Sequence, residues 1–175
     1  GDDPYANLSP EYVYAKGHTY LQKSSYTNAT KAFESLSSQY PFNPYTKQAT
    51  LESIYAYNEK GDPTLALAAA ERFVNLYPSD KNVDYAYYMM GVISFNDGRG
   101  FLQQYFPYKM SEHNSDNYQK AYTGFYNLIQ DYPNSPYAQD ARRRMMYLVN
   151  NFAAYQLYIA QFNYKREAYV AAANR

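Results

Sequence analysis

The sequence predicts an all-α fold in which helical hairpins repeat and stack into a superhelix. The dipeptide Tyr-Pro occurs three times, at Tyr40-Pro41, Tyr77-Pro78 and Tyr132-Pro133. Small and apolar residues stand five, eight and twelve residues before each proline, offsets that place them on one face of a helix that the proline ends. No period-two pattern of a β-strand competes with this reading. The three columns are Leu36, Phe73 and Leu128; Phe33, Ala70 and Phe125; and Ala29, Ala66 and Ala121.

A second helix precedes each of these helices and repeats with it. Gly17 and Tyr20 stand 12 and 9 residues before Ala29, and Ile54 and Tyr57 stand at the same distances before the next alanine of the column. This resembles the tetratricopeptide pattern, in which a small residue lets two helices approach and an aromatic ring fills the wedge between them. We therefore expect Gly17, and Gly91 in the third repeat, at close helix contacts.

The spacing of the Tyr-Pro dipeptides predicts an insertion in the third repeat. The first two prolines are 37 residues apart and the next two are 55 apart, whereas a tetratricopeptide spans about 34 residues. We expect one solenoid domain, truncated at its C-terminus, because solenoids normally finish with a capping repeat. Its predicted extent is residues 1–175, with repeats at about 10–42, 44–79 and 83–134, an insertion at about 97–116, and a partial fourth repeat at 136–175.

Capping residues predict where the individual helices begin and end. An N-cap residue stands before a proline at Ser9-Pro10, Asn43-Pro44, Asp62-Pro63 and Ser135-Pro136, and Lys60-Gly61 predicts a helix stop. The predicted helices are about 10–23, 26–39, 44–59, 63–76, 83–96, 116–131, 136–151 and 153–166, with another beginning near Ala168.

The composition excludes several classes of function. The chain has 175 residues, with 16 Lys and Arg against 16 Asp and Glu, so a nucleic-acid binder acting through a general basic field is not expected. Cysteine is absent, which removes disulfides and thiolate chemistry. The 25 tyrosines suit half-buried positions, because the ring packs while the hydroxyl stays near water.

Longer segments carry a more specific resemblance. The runs Tyr40-Pro41-Phe42-Asn43-Pro44-Tyr45, Asn82-Val83-Asp84-Tyr85-Ala86-Tyr87-Tyr88 and Tyr132-Pro133-Asn134-Ser135-Pro136-Tyr137-Ala138 are similar to the BamD family, also called ComL. The likeness extends from about Glu11 to Arg175. This family consists of tetratricopeptide lipoproteins of the outer-membrane β-barrel assembly (BAM) machine.

The resemblance implies a non-enzymatic scaffold without a cofactor, on the periplasmic face of the outer membrane of a Gram-negative bacterium. The implied partners are BamA through a POTRA domain, BamC, BamE and unfolded outer-membrane β-barrel proteins. The family's anchor is an acylated N-terminal cysteine, which this sequence lacks. The closing Asn174-Arg175 pair matches the family, and Arg175 is the residue expected to contact BamA.

Eight residues are predicted to contact a partner or substrate. The helix columns that line a tetratricopeptide groove contain Tyr14, His18, Glu52, Tyr55, Tyr88 and Met89. The turn between the first two repeats adds Tyr40, Asn43 and Tyr45, and two prolines make that turn stiff. We expect Phe42 to plug the seam between hairpins. The predicted contact residues are Tyr14, His18, Tyr40, Asn43, Tyr45, Tyr55, Tyr88 and Arg175.

Chemical sites are weakly indicated, and two other binding functions compete. Glu112, His113 and Asp116 offer metal-ligating groups, but a solvated loop is the simpler interpretation. No catalytic motif is found, so neither an enzyme nor a metal site is predicted. One alternative is a periplasmic repeat adaptor of cell-envelope division, which predicts more regular repeat spacing. The other is a glycan-binding lipoprotein with a tetratricopeptide core, in which tyrosine rings would stack on sugars.

Overall fold

The computed structural model describes residues 1–97 and 112–175, and in the helix that begins at Glu112 it describes side chains from Ser115 onward. Seven α-helices occupy these residues, and no β-strand occurs among them. The helices are α1 (Pro10–Gln22), α2 (Tyr26–Gln39), α3 (Pro44–Lys60), α4 (Pro63–Leu76), α5 (Val83–Asp97), α6 (Glu112–Asp131) and α7 (Ala138–Ala173). The predicted all-α class is confirmed. Most of the predicted insertion lies outside the described residues.

Consecutive helices pack as hairpins, α1 with α2, α3 with α4, and α5 with α6. The first helices of the hairpins also contact one another in sequence, from α1 to α3, α3 to α5 and α5 to α7. This arrangement is the stacking expected of a tetratricopeptide-like solenoid. The face that these first helices form is called the A-helix face below.

The core consists of three clusters along the stack. All nine residues of the columns that precede the Tyr-Pro dipeptides are buried. Phe33 and Leu36 belong to the first core cluster, Phe73 to the second core cluster, and Phe125 and Leu128 to the third core cluster. The repeat register derived from the sequence is therefore confirmed, because a register error would have exposed one of the columns.

Helix ends follow the predicted caps at three of four positions. The side chains of Ser9, Asn43 and Asp62 each accept a hydrogen bond from a backbone N–H in the first turn of their helix. Gly61 ends α3 with φ of 87°, a left-handed conformation that favours glycine. At Ser135-Pro136 the predicted helix start is wrong, because α7 begins only at Ala138. The Ser135 hydroxyl accepts a hydrogen bond from the Tyr137 backbone N–H at 3.2 Å in the turn before α7, and it donates to Asp84 Oδ2 at 2.7 Å.

The last helix also differs from the prediction. Separate helices at 136–151 and 153–166, and another near Ala168, were expected, but α7 runs unbroken over 36 residues. The segment around residue 152 contains neither glycine nor proline. The Asn151 side-chain amide donates to the Tyr147 carbonyl at 2.7 Å, so this asparagine bonds within the helix and does not cap a new one.

Glycines mark the closest helix contacts. A Cβ atom on Gly17 would lie 2.7 Å from Phe33 Cδ1, and one on Gly91 would lie 2.5 Å from Phe125 Cδ1. Both distances are far below ordinary van der Waals contact, which confirms the predicted close approach. Gly124 is a third such position that the sequence analysis did not identify. Its Cβ would lie 2.6 Å from the backbone nitrogen of Gly91.

Candidate functional site

Four residues contact one another on the A-helix face, where α1 contacts α3. Three of them were predicted as contact residues, and the fourth, Glu52, was assigned to the groove columns. The Tyr14 hydroxyl donates to Glu52 Oε2 at 2.5 Å, and His18 Nδ1 bonds the other oxygen of the same carboxylate. The Tyr14 ring stacks on His18 and contacts Tyr45, with centroids 5.7 and 5.5 Å apart. We call Tyr14, His18, Tyr45 and Glu52 the first cluster.

The Glu52 carboxylate is the centre of the first cluster. Its side chain is 11% exposed, whereas that of His18 is 41% exposed, so the carboxylate is covered while part of the imidazole reaches solvent. Burial, together with the hydrogen bond to Glu52 and its negative charge, raises the pKa of Tyr14. The tyrosine therefore stays protonated and remains a hydrogen-bond donor at neutral pH. The cluster joins two hairpins and leaves aromatic surface open on the A-helix face.

Tyr55 lies one helical turn beyond Glu52 on α3. Its ring is exposed and meets Tyr26 edge-on, with centroids 6.0 Å apart. A hydrogen bond with Tyr26 and the nearby charge of Glu59 raise the pKa of Tyr55. Tyr55 therefore extends the aromatic surface of the first cluster along α3.

Tyr88 lies in a second cluster, where α5 contacts α7. Its ring stacks on Tyr137 at 4.9 Å, and its hydroxyl donates to Asp140. Arg144 Nε donates to the same Asp140 oxygen at 2.7 Å, and Tyr85 packs against Tyr137. We call Tyr85, Tyr88, Tyr137, Asp140 and Arg144 the second cluster.

The charges of the second cluster balance one another. Burial acts to raise the pKa of Asp140, but the hydrogen bonds from Tyr88 and Arg144 and the guanidinium charges together outweigh it, and the pKa falls. Burial and the bond to Asp140 raise the pKa of Tyr88. Arg144 thus pairs with Asp140 within the chain, and Arg143 Nη2 also lies 3.6 Å from Asp140 Oδ1.

The two clusters are built alike. Tyr45 and Tyr137 each follow a proline at the turn into their helix, and each contacts a tyrosine three residues before a packing glycine, Tyr14 or Tyr88. In both clusters that tyrosine donates to a carboxylate on the next A-face helix. The sequence analysis missed Tyr137 and Asp140, although the repetition of Pro-Tyr in the two turns was a usable signal.

The turn between α2 and α3 differs from the prediction at Phe42. This ring was expected to plug the seam between hairpins, but it is 88% exposed. Tyr40 is half-buried instead, and its hydroxyl donates to the Leu8 carbonyl at 2.6 Å. Asn43 caps α3 by accepting from the Tyr45 backbone N–H at 2.9 Å. The seam is therefore closed by Tyr40, and Phe42 points away from it.

The remaining predicted residues lie elsewhere. Met89 was placed on the groove columns, but it is buried in the second core cluster, because its side of α5 faces α3 and α4. Arg175 is exposed just beyond the end of α7 and joins neither cluster. The side chains of Glu112 and His113 lie outside the described residues. Among the side chains described, no group of three or more acidic or histidine residues is arranged to hold a metal ion.

These features define a class of protein: a helical-repeat protein with an exposed aromatic surface on one face. The chain belongs to the outer membrane lipoprotein family YfiO, whose model matches residues 6–175. No helix in the described part of the chain is long and apolar enough to cross a membrane.

Several curated relatives share the name outer membrane protein assembly factor BamD. The protein from Vibrio cholerae is 38% identical over 99% of this chain and 72% of its own length. The protein from Neisseria gonorrhoeae is 39% identical over 95% of this chain and 62% of its own length. The protein from Haemophilus influenzae is 35% identical over 100% of this chain and 67% of its own length. The predicted family is confirmed, and its name favours outer-membrane protein assembly over the division and glycan alternatives.

Proposed function

We propose that this chain is a non-enzymatic adaptor of the β-barrel assembly machine that binds unfolded outer-membrane β-barrel proteins. The observation that carries the proposal is the exposure of Phe42. A phenylalanine that is 88% exposed on a turn held by two prolines has a large apolar surface ready for a partner. Because Pro41 and Pro44 restrict the turn, little conformational entropy is lost when a partner binds.

The surface next to Phe42 suits an extended segment rich in aromatic residues. Tyr45 follows on the same turn and leads through Tyr14 to His18. Aromatic side chains of the segment would pack on these rings, and its unpaired backbone groups would bond the exposed imidazole edge and the Tyr45 hydroxyl. Tyr55 and Tyr88 would extend the contact along the A-helix face. Tyr40 would act by holding the turn in position, since its hydroxyl is engaged by Leu8.

Further partners belong to the same proposal. The family name supports membership of the assembly machine, and we assign to this chain BamA, through a POTRA domain, together with BamC and BamE. Arg175 would contact BamA, and its exposure at the end of α7 leaves it accessible for that contact. The chain would act at the periplasmic face of the outer membrane, held there by an N-terminal lipid anchor.

Site-specific photo-crosslinking tests the substrate site. A crosslinking residue replaces Phe42 or Tyr45 in turn, and each variant is mixed with a peptide that ends in the C-terminal strand of a barrel protein. The matched control carries the crosslinker at Lys31, an exposed position on α2. We expect capture at the first two positions, poor competition by a scrambled peptide, and little capture at Lys31. Equal capture at all three positions, or capture at Lys31 alone, would refute the site.

A separate pull-down tests the BamA contact. The chain and its Arg175→Ala variant are incubated with the POTRA domains of BamA, with Arg142→Ala as the matched control. Weaker retention of the Arg175 variant alone supports the assignment. Equal retention of all three proteins removes Arg175 from the interface and leaves the substrate site untouched.

A further inference from the structure

Polar side chains at the end of α2 hold the N-terminal segment, residues 3–8, against the first hairpin. The side-chain amide of Gln39 bonds two backbone groups of this segment. Its Nε2 donates to the Tyr5 carbonyl at 2.8 Å, and its Oε1 accepts from the Asn7 N–H at 2.9 Å. We call this pair of bonds the Gln39 clamp. Because the amide uses both its donor and its acceptor on backbone groups, the clamp holds the path of the segment.

Ser35 supports the clamp from one turn earlier on α2. This serine is buried, and its hydroxyl accepts from Gln39 Nε2 at 2.8 Å and donates to the Asp3 carboxylate. Two side chains of the segment, Tyr5 and Leu8, pack against the first core cluster. The segment is therefore fixed both by polar bonds to α2 and by apolar contacts with the core.

The N-terminal segment also holds Tyr40, the residue that follows Gln39. The Tyr40 hydroxyl donates to the Leu8 carbonyl at 2.6 Å, and the Tyr40 ring packs against the first core cluster. Gln39 and Tyr40 thus bond the same segment from adjacent positions. Because of this, the clamp limits how far the Tyr40 ring can move.

Tyr40 in turn forms the base of the turn that carries Phe42. The Tyr40 carbonyl accepts hydrogen bonds from the Asn43 N–H at 3.2 Å and from the Thr46 hydroxyl at 2.5 Å. The first of these bonds closes a β-turn with Pro41 and Phe42 as its central residues. Phe42 lies at the tip while Tyr40 occupies the seam, so the exposure of Phe42 depends on the position of Tyr40.

We propose that Gln39 and the N-terminal segment position the substrate surface by keeping Phe42 exposed. While the clamp is closed, Tyr40 fills the seam between the first two hairpins and the Phe42 ring points to solvent. When the clamp opens, Tyr40 is no longer held, and the Phe42 ring turns toward the seam because apolar surface gains free energy on burial. Gln39 is therefore a positioning residue. The inference rests on the proposed function, since the surface that the clamp presents is the one assigned to the substrate.

A tryptophan at position 42 reports the state of the turn, since the chain contains no other tryptophan. In Phe42→Trp the indole should emit as a solvent-exposed group and be readily quenched by acrylamide. Adding Gln39→Ala and Tyr40→Phe removes three hydrogen bonds to the N-terminal segment. Each lost bond shifts the balance from closed to open clamp by about fivefold, and the three together by about a hundredfold. The emission should move to shorter wavelength and the quenching constant should fall.

Affinity for the barrel-strand peptide is the second readout. Without the tryptophan, the double variant Gln39→Ala/Tyr40→Phe should bind a labelled peptide with a Kd raised at least about tenfold, because only the closed clamp presents Phe42. Tyr40→Phe alone keeps the ring and should shift both readouts less, in the same direction. The matched control is Gln48→Ala, an exposed glutamine on α3, which should change neither. Circular dichroism shows that each variant keeps its helices, so that the indole emission reports the turn.

The two readouts separate this inference from the proposed function. Unchanged emission and quenching in the folded triple variant would overturn the inference, whatever the peptide does. Tighter peptide binding by the double variant would also overturn it, because the N-terminal segment would then obstruct the surface. An indole that moves inward while the peptide affinity stays unchanged would support control of the turn by the clamp and remove Phe42 from the substrate site. If the original chain binds no peptide, the proposed function fails and the indole emission still decides whether the clamp controls the turn.

Discussion

The close contact between Gly124 and α5 allows a quantitative test of the packing. In the variant Gly124→Ala, the new methyl carbon would lie 2.6 Å from the backbone nitrogen of Gly91 and 2.9 Å from the Tyr87 carbonyl oxygen. Favourable contacts begin near 3.5 Å, so α5 and α6 would have to move apart by roughly 1 Å. Unlike a side chain, the opposing backbone cannot rotate away.

The expected cost follows from two opposing effects. Overpacking of a core costs about 1–3 kcal/mol. We take the upper end because the new methyl group contacts backbone atoms, and because Phe125 and Leu128 lose contacts when the helices separate. Replacing glycine with alanine in a helix stabilises the helix by about 1 kcal/mol. The free energy of unfolding should therefore fall by about 2 kcal/mol, or about 4–8 °C in Tm for a chain of this size.

Thermal unfolding followed by circular dichroism measures this effect. The matched control is Thr123→Ala, at the exposed neighbouring position of α6, which should leave the Tm unchanged or slightly higher. A Tm of Gly124→Ala that equals or exceeds that of the original chain would refute the reasoning. It would mean that only helix propensity matters at this position and that the two helices do not touch there.

Three more predictions concern the A-helix face and the alkaline limit of stability. Glu52→Gln should lower the free energy of unfolding by about 1–3 kcal/mol, because Tyr14 and His18 lose a charged acceptor. Denaturant unfolding measures this change, with Glu59→Gln as the control. Equal free energies of unfolding in the two variants would count against the first cluster. Asn43→Ala should lower the free energy of unfolding by about 1 kcal/mol, because α3 loses its N-cap. Asn43→Asp keeps the cap and should leave the free energy of unfolding unchanged. An equal decrease in both variants would show that Asn43 has a role other than capping. The tyrosines with a raised pKa favour the folded state fully below about pH 10, and this contribution is lost as the pH rises above that value. In an alkaline titration, the phenolate absorbance of the tyrosines with a raised pKa should then appear together with the loss of helicity. Ionisation of every tyrosine in a still-folded chain would contradict the assignment.

The repeat and its core could be derived from the sequence because both depend on local rules. Proline ends a helix wherever it stands, and a column such as Ala29, Ala66 and Ala121 repeats only if the same face is buried each time. The helices from α1 to α5 accordingly begin and end within two residues of their predicted positions.

The fourth repeat could not be derived in the same way. No glycine, proline or capping hydrogen bond supports the helix break that was predicted near residue 152, and the chain continues as one helix there. The site was predicted only in part for a different reason. Which carboxylate meets Tyr14 or Tyr88 depends on how far one hairpin rotates against the next, and no residue spacing records that angle. The orientations of Tyr40 and Phe42 depend on the N-terminal segment, because the Leu8 carbonyl of that segment accepts a hydrogen bond from the Tyr40 hydroxyl.

The unequal bonding on the two sides of the stack has a mechanical consequence. Apolar packing joins the helices both within a hairpin and between hairpins, since the second core cluster contains residues of α3, α4 and α5. This packing resists displacement because every shift opens a void. On the A-helix face, tyrosine–carboxylate bonds such as Tyr14–Glu52 and Tyr88–Asp140 add a polar junction between neighbouring hairpins. A hydrogen bond can lengthen or exchange with water without leaving a void, so the stack should yield more readily at the A-helix face than at its apolar core. Small changes in the curvature of the solenoid should therefore be taken up at this face.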